Sequence, residues 1–397
     1  MLRIGLVTGE YPPHQGGVGD FSREIARALA ALGHDVHVIT HTSARSNDRN
    51  DDRSDDFSRL SATATTHPAV HPLIRSWNLQ SLILIRRLVR SLSLDLLNIQ
   101  YQAAAYDMTP PIHFLPSLAG RPSVVTFHDL RIPYLFPKAG PLRPAAVAHL
   151  ARSASGVIVT NPEDHQTLQR DSKIKCLAEI PIGSNIAPRE FHNGLANTRY
   201  RRQWGLSQTE AVVGYFGFLN ASKGGETLFH ALAQLPNYQL LLIGGRTGAS
   251  DPTNEKYAAE LDALADSLSL AGRIIRTGYL PPAETTQAFL ACDLMAMPYV
   301  DGASFRRGTF MACLAHGMPT ITTQPSTPLP QLRDGENIRL VPPEDPTALA
   351  AAIRELAADP ALRSRLSTGA LALAEGFRWD KIAAQTAAFF EIVLASR

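Results

Sequence analysis

Short apolar runs alternate with stretches in which apolar residues recur every three or four positions, and this alternation persists from one end of the chain to the other. A strand whose following helix returns over the sheet requires the next strand to run parallel, so the pattern restricts the chain to an α/β fold built from doubly wound parallel sheets. RIGLVT at Arg3–Thr8 reads as the first strand, and Phe21, Ile25, Ala28, Leu29 and Leu32 form the buried stripe of the first helix, which Gly33 stops. Residues 36–40, 96–100, 123–127 and 156–160 are further strands, apolar along most of their length, as expected where both faces of a sheet are covered.

Around residues 181–194 the alternation loosens into PIGSNIAPREFHNG, and a second series of strands opens with VVGYF at 212–216. Strands at 240–243, 274–278, 294–297, 320–322 and 338–341 continue it, with helices at 256–268 and 282–291 between them. A chain of 397 residues suits two such domains. The division reads as 1–188, then 189–377, then a closing amphipathic helix over 378–397 with apolar positions at Ile382, Ala383, Phe389, Phe390 and Val393. SARSNDRNDDRSDD at 43–56 has no aliphatic residue larger than alanine, so an exposed, mobile insertion is expected over about 43–75. Two Rossmann-like domains facing across a cleft would place the functional groups in the loops that follow the strands.

The charge balance is nearly even, with 38 Lys plus Arg against 36 Asp plus Glu, so no global field recruits nucleic acid. Cys176, Cys292 and Cys313 are too few and too scattered for a disulfide framework or a structural zinc site, which fits a reducing, cytoplasmic setting. No targeting segment is visible, because Arg3 interrupts a short apolar start. The stretch 79–92 is too short and too basic to span a bilayer. Leu79, Leu82, Ile83 and Ile85 beside Arg86, Arg87 and Arg90 suit either a helix packed on a sheet or a peripheral contact with a membrane surface.

Four segments at or after strand ends carry chemistry. GEYPPHQGGVG at 9–19 runs from a strand into a helix; Gly16 and Gly17 let backbone N–H groups approach an anion at the positive end of the helix dipole. Ser22 stands at the third glycine position of a G-x-G-x-x-G pattern, which argues against a nicotinamide cofactor, and a glycine-rich turn without a ligand accounts for the loop equally well. His128 ends the strand SVVTF, where an imidazole can orient hydroxyls or move protons. Lys223 lies in the loop after VVGYF, just before a helix; a cation there opposes the helix dipole unless an anion offsets it. Arg306 and Arg307 precede a helix expected from about Gly308, with Ser304 and Thr309 beside them, and such adjacent guanidiniums call for a phosphate or for a carboxylate such as Asp301 or Asp334. No Asp-x-Asp, P-loop, G-x-S-x-G elbow or metal-ligand cluster is present, which weakens kinase, hydrolase and metal-site readings.

Taken together, EYPPHQGGVGDFSREIARALAALGHDVHVIT, VVTFHDL, VIVTNPEDHQTL, IPIGSNI, YFGFLNASKGG, GYLPPAE, LAHGMPTITT and LRDGENIRLV make the chain resemble, over almost its whole length, the GT-B retaining glycosyltransferases of group 1 (family 4-like). The resemblance implies transfer of a sugar from a nucleoside-diphosphate sugar to a sugar, lipid or small-molecule acceptor, with no metal and no cofactor. It also implies roles for particular positions: Gly16 and Gly17 near the donor diphosphate, His128 facing the transferred sugar, Lys223 stabilising the leaving diphosphate, and Tyr279 and Leu280 beside the nucleobase. Ser304, Arg306, Arg307 and Thr309 complete the expected diphosphate site. The chain departs from the family at three positions. Phe218 stands where an arginine is usual, and Ser304 and Ala312 stand where two glutamates are usual. These departures keep two other readings open, a non-catalytic GT-B binding or partner module and a nucleotide-sugar epimerase; compensation for Phe218 by Arg306 or Arg307 is a further expectation.

Overall fold

The protein is represented by a computed structural model that describes residues 1–14, 16–44, 67–130, 142–188, 191–193, 196, 198–246 and 253–396. The chain divides into two compact units, one comprising Met1–Ile182 with Trp379–Arg397 and the other Gly183–Arg378. Each is built around its own parallel sheet.

The first sheet contains β1 (Arg3–Thr8), β2 (Asp35–His41), β3 (Ala69–Ile74), β4 (Leu96–Tyr101), β5 (Ser123–Phe127), β6 (Gly156–Val159) and β7 (Leu177–Glu179), in the order β3-β2-β1-β4-β5-β6-β7. Growth reverses between β1 and β4, whose register pairs Thr8 with Gln100. The helix Gly17–Ala31 buries Phe21, Ile25, Ala26 and Leu29. The helix Leu79–Ser91 starts at Asn78, whose side chain accepts from the Ser81 N–H at 3.1 Å, and buries Leu82, Ile85, Leu88 and Val89. These join Trp77, Tyr106 and Phe127 in one core, each large side chain contributing about 1.5–3 kcal/mol by leaving water. The closing helix Trp379–Ala395 belongs to this unit. Trp379 meets Phe21 edge-on with centroids 5.2 Å apart, and a Cβ on Gly156 would lie 2.6 Å from Val393, so the start of β6 admits only glycine beneath that helix.

Two strands were not expected from the sequence, and both are edges. β3 falls inside the insertion expected over 43–75, so that segment is part of the sheet at 69–74; residues 45–66 lie outside the described residues. Pro72 is tolerated because an edge strand has one face without a ladder to serve. β7 has three residues, none of them buried.

The second sheet contains β8 (Ala211–Phe216), β9 (Tyr238–Ile243), β10 (Ile274–Arg276), β11 (Leu294–Met297), β12 (Thr320–Thr323) and β13 (Arg339–Val341), ordered β10-β9-β8-β11-β12-β13. Growth reverses between β8 and β11. A sheet of this kind leaves a crevice outside the carboxyl ends of its two switch strands, because the following loops turn to opposite faces. Among the described residues no helix is long and apolar enough to cross a membrane.

Candidate active site

In the second unit the loops after β8 and β11 meet at the switch point. Val300 donates its N–H to the Ser222 carbonyl at 3.0 Å, which ties the two loops together. Gly224 has a φ of +70°, and a Cβ there would lie 1.9 Å from the Pro298 carbonyl oxygen, so glycine is required for this approach. The contact sets Lys223 at the crevice. Its ammonium lies 3.8 Å from the centroid of the Phe218 ring, and burial, reinforced by Arg307, lowers its pKa to about 7. Among the described residues no carboxylate pairs with it. The arginine usual at position 218 is thus replaced by an aromatic face that carries the lysine charge.

The two guanidiniums take a carboxylate between them. Arg306 Nη2 meets Asp301 Oδ2 at 3.0 Å, and Arg307 Nη2 meets Asp301 Oδ1. Arg307 also stacks over Tyr299 at 4.1 Å, and its Nε is buried without a hydrogen-bond partner. Asp301, one of the two carboxylates anticipated, is therefore the partner of both guanidiniums. Three cations and one carboxylate still leave a surplus of positive charge. The helix Gly308–Ala315 follows, with Thr309 bonded to the Tyr299 hydroxyl at 3.2 Å and its methyl group 2.8 Å from a Cβ placed on Gly217. Ser304 Oγ accepts from the Arg306 N–H at 3.4 Å, whereas Ala312 is fully buried in the core.

Beside Gly217 a shallow depression is lined by Gly244, Gly245, Arg246, Asp262, Arg276 and Gly278. Asp262 holds Arg246 at 2.8 Å and Arg276 at 2.6 Å. Gly278 is the residue of the expected nucleobase loop that lines it. Tyr279 is 62% exposed and Leu280 half-buried, neither among the lining residues.

The first unit brings the ends of β1, β4 and β5 together. Thr8 accepts from the Ser22 hydroxyl at 3.1 Å and donates to the Glu10 carbonyl at 2.8 Å, fixing the loop that leads to Gly16 and Gly17. That loop is not an empty anion cradle. The Glu10 carboxylate sits at it, so that a Cβ on Gly16 would lie 2.0 Å from Oε2, and the Gly19 N–H donates to the same group. Burial pushes the Glu10 carboxyl up, opposed by His14 and the Gly19 N–H. Space remains open at Gly17. His128 lies edge-on to Phe21 at 4.6 Å, and its Nε2 is 2.9 Å from Gln100 Oε1; burial lowers its pKa to about 4. Gln100 in turn donates to Asn98.

Sequence reasoning missed Glu10, Asn98 and Gln100. Asn98 and Gln100 carried a signal, since they interrupt an otherwise apolar strand and are each 1% exposed.

Residues 16–175 match the family of glycosyl transferase 4-like domains, and residues 196–372 match glycosyl transferases group 1. D-inositol 3-phosphate glycosyltransferase of Corynebacterium efficiens is 30% identical over 220 residues, 54% of this chain and 50% of that protein. The protein of the same name from Acidothermus cellulolyticus is 29% identical over 210 residues, 51% and 45% of the two chains. The chain spans about half the length of these curated relatives. Sucrose-phosphate synthase from Thermosynechococcus elongatus superposes with a TM-score of 0.76 at 23% identity over 100% of both chains. Anabaena HepE, solved with UDP and glucose, gives a TM-score of 0.73 at 22% identity over 98% of this chain and 100% of its own. At such identities the likeness to the solved structures is one of fold.

Proposed function

We propose, from the premise that the chain belongs to the group 1 glycosyltransferases of the GT-B fold, that it moves a sugar from a nucleoside-diphosphate sugar to a sugar, lipid or small-molecule acceptor. Transfer proceeds with retention, without a metal ion and without a cofactor. The observation that carries this reading is Lys223, a desolvated ammonium with no carboxylate partner among the described residues, held where β8 and β11 diverge. As the bond between the anomeric carbon and the diphosphate lengthens, negative charge collects on the departing oxygens, and a fixed cation lowers the barrier because it interacts more strongly with that charge than with the ground state. The depression beside Gly217 suits the nucleoside, with Gly244 and Gly278 leaving room for a flat base. In the first unit, His128 addresses the transferred sugar.

Calorimetry with UDP, GDP and ADP tests the donor site. Lys223→Ala is expected to weaken nucleoside-diphosphate binding by about 1.5–3 kcal/mol, the value of a charge-assisted hydrogen bond. Free nucleotide released only when an acceptor is present supports transfer, and a changed sugar nucleotide without release supports epimerisation. Absence of binding to all three at millimolar concentration favours the partner module, which the missing carboxylates at Ser304 and Ala312 also suit.

The protein's setting belongs to the same proposal. Cys176, Cys292 and Cys313 are free, the last two buried with thiol pKa values pushed up, which supports a reducing cytoplasm. The outward side of the helix Leu79–Ser91 carries Leu79, Ile83, Arg86, Arg87 and Arg90 and no acidic residue, which supports peripheral contact with an anionic membrane. Sedimentation with anionic vesicles, abolished by Ile83→Glu, tests that contact.

A further inference from the structure

β4 and β5 place four polar side chains on one buried face. Parallel register sets Asn98 opposite Val124 and Gln100 opposite Thr126, so Asn98, Gln100, Thr126 and His128 project to the same side. Asn98 and Gln100 are 1% exposed and Thr126 is 3% exposed. Polar groups this deep are costly unless every donor meets an acceptor, so their hydrogen-bond directions can be followed from one end.

The starting point is a backbone carbonyl, which can only accept. Asn98 Nδ2 lies 3.3 Å from the Val124 carbonyl oxygen and 3.0 Å from Thr126 Oγ1, which identifies that atom as the amide nitrogen. Asn98 Oδ1 therefore faces Gln100 and accepts from its Nε2. Gln100 Oε1 is then the atom turned to His128, 2.9 Å from Nε2. A carboxamide oxygen has no proton to give, so Nε2 must carry one. The backbone N–H of His128 is fixed as well, donating to the Tyr101 carbonyl at 3.1 Å.

We propose that Asn98 and Gln100 are positioning residues that hold His128 as its neutral Nε2–H tautomer, so that Nδ1 offers a lone pair to a ligand. The direction of the last bond is dictated three bonds away by the Val124 carbonyl. The depressed pKa of His128, about 4, agrees with a ring that stays neutral through the physiological range. The consequence for catalysis rests on the proposed sugar-facing role of His128: the imidazole accepts from a sugar hydroxyl and does not donate to one. An acceptor so fixed discriminates against a donor sugar lacking that hydroxyl.

Nitrogen-15 NMR of histidine-labelled protein at pH 7 reads the tautomer directly, with the His128 signals assigned by their loss in His128→Asn. The expected wild-type pattern is the Nε2–H form. Gln100→Leu should convert it to a mixture or to the Nδ1–H form, and should lower kcat about tenfold or more with little change in the donor KM. Gln100→Glu keeps an acceptor at Nε2, so it should preserve the Nε2–H form and raise the His128 pKa by about one unit or more, and it serves if the leucine variant does not fold. An Nδ1–H pattern in the wild type, an unaltered pattern in Gln100→Leu, or an unshifted His128 pKa in Gln100→Glu would overturn the proposal. The sugar-facing role fails separately: His128→Ala transferring sugar at the wild-type rate removes that role and leaves the tautomer result standing.

Discussion

Filling the crevice beside Lys223 with a nucleotide sugar should draw a proton from solution. Burial is the larger cause of the lysine's low pKa and Arg307 the smaller, and together they bring it to about 7. In the free protein about half of the molecules therefore carry a neutral Lys223 at pH 7, and about nine-tenths do at pH 8. A diphosphate within hydrogen-bond reach favours the charged form and restores an ordinary lysine pKa. Binding should then take up about 0.5 proton at pH 7, about 0.9 at pH 8 and about 0.1 at pH 6. A nucleotide sugar is the right probe, because its diphosphate is esterified at both ends and does not titrate in this range. His128, held to about 4, adds nothing above pH 6. Titration calorimetry of UDP-glucose in buffers of different ionisation enthalpy gives the uptake as the slope of observed heat against buffer heat. Lys223→Arg should bind with no such slope, since a guanidinium is charged throughout. Measurable binding at pH 8 with zero slope in the wild type would refute the reasoning, and with it the placement of diphosphate on Lys223.

Three further outcomes follow from the geometry. Asp301→Asn removes the carboxylate shared by Arg306 and Arg307 and should lower stability by about 3 kcal/mol in urea unfolding, the cost of leaving largely buried charge unpaired. Gly224→Ala meets the Pro298 carbonyl and an unfavourable φ, so a loss of about 3 kcal/mol or more is expected in the same assay, together with loss of nucleotide binding as the two loops part. His71, His128, His192 and His316 each have a folded pKa lowered to about 4 by burial, so the unfolded chain binds protons first and stability should fall as pH drops from about 6.5 to 4. Urea midpoints at pH 7 and 4.5 check this, and His71→Phe should reduce the difference.

The strands that define each switch point were legible because they are central. β1, β4 and β11 are wholly or almost wholly buried, and they stop within a residue of where the sequence says they do. β3 and β7 lie at the two edges of their sheet, where a strand has one neighbour and needs no continuous apolar run. At the site, Lys223 and the arginines stood out because charge at a helix start demands a partner. What the sequence could not supply was the identity of neighbours brought together by folding. The Phe218 ring beneath Lys223 and the Glu10 carboxylate at Gly16 are local in sequence but depend on loop conformation. The lining of the depression depends on three strand ends and a helix, with Asp262 drawn in from residues that periodicity assigns only to a helix face.

Because Trp379–Ala395 packs over Gly156 and against Phe21, the first and last described segments are knit into a single compact unit, and the second unit is an insertion within it. A fragment cut after residue 182 would lose the cover over β6 and the aromatic neighbour of Phe21, exposing apolar surface that invites aggregation. Splicing residue 182 to residue 379 through a short linker would restore that cover, and would let His128 be titrated and labelled in the first unit by itself.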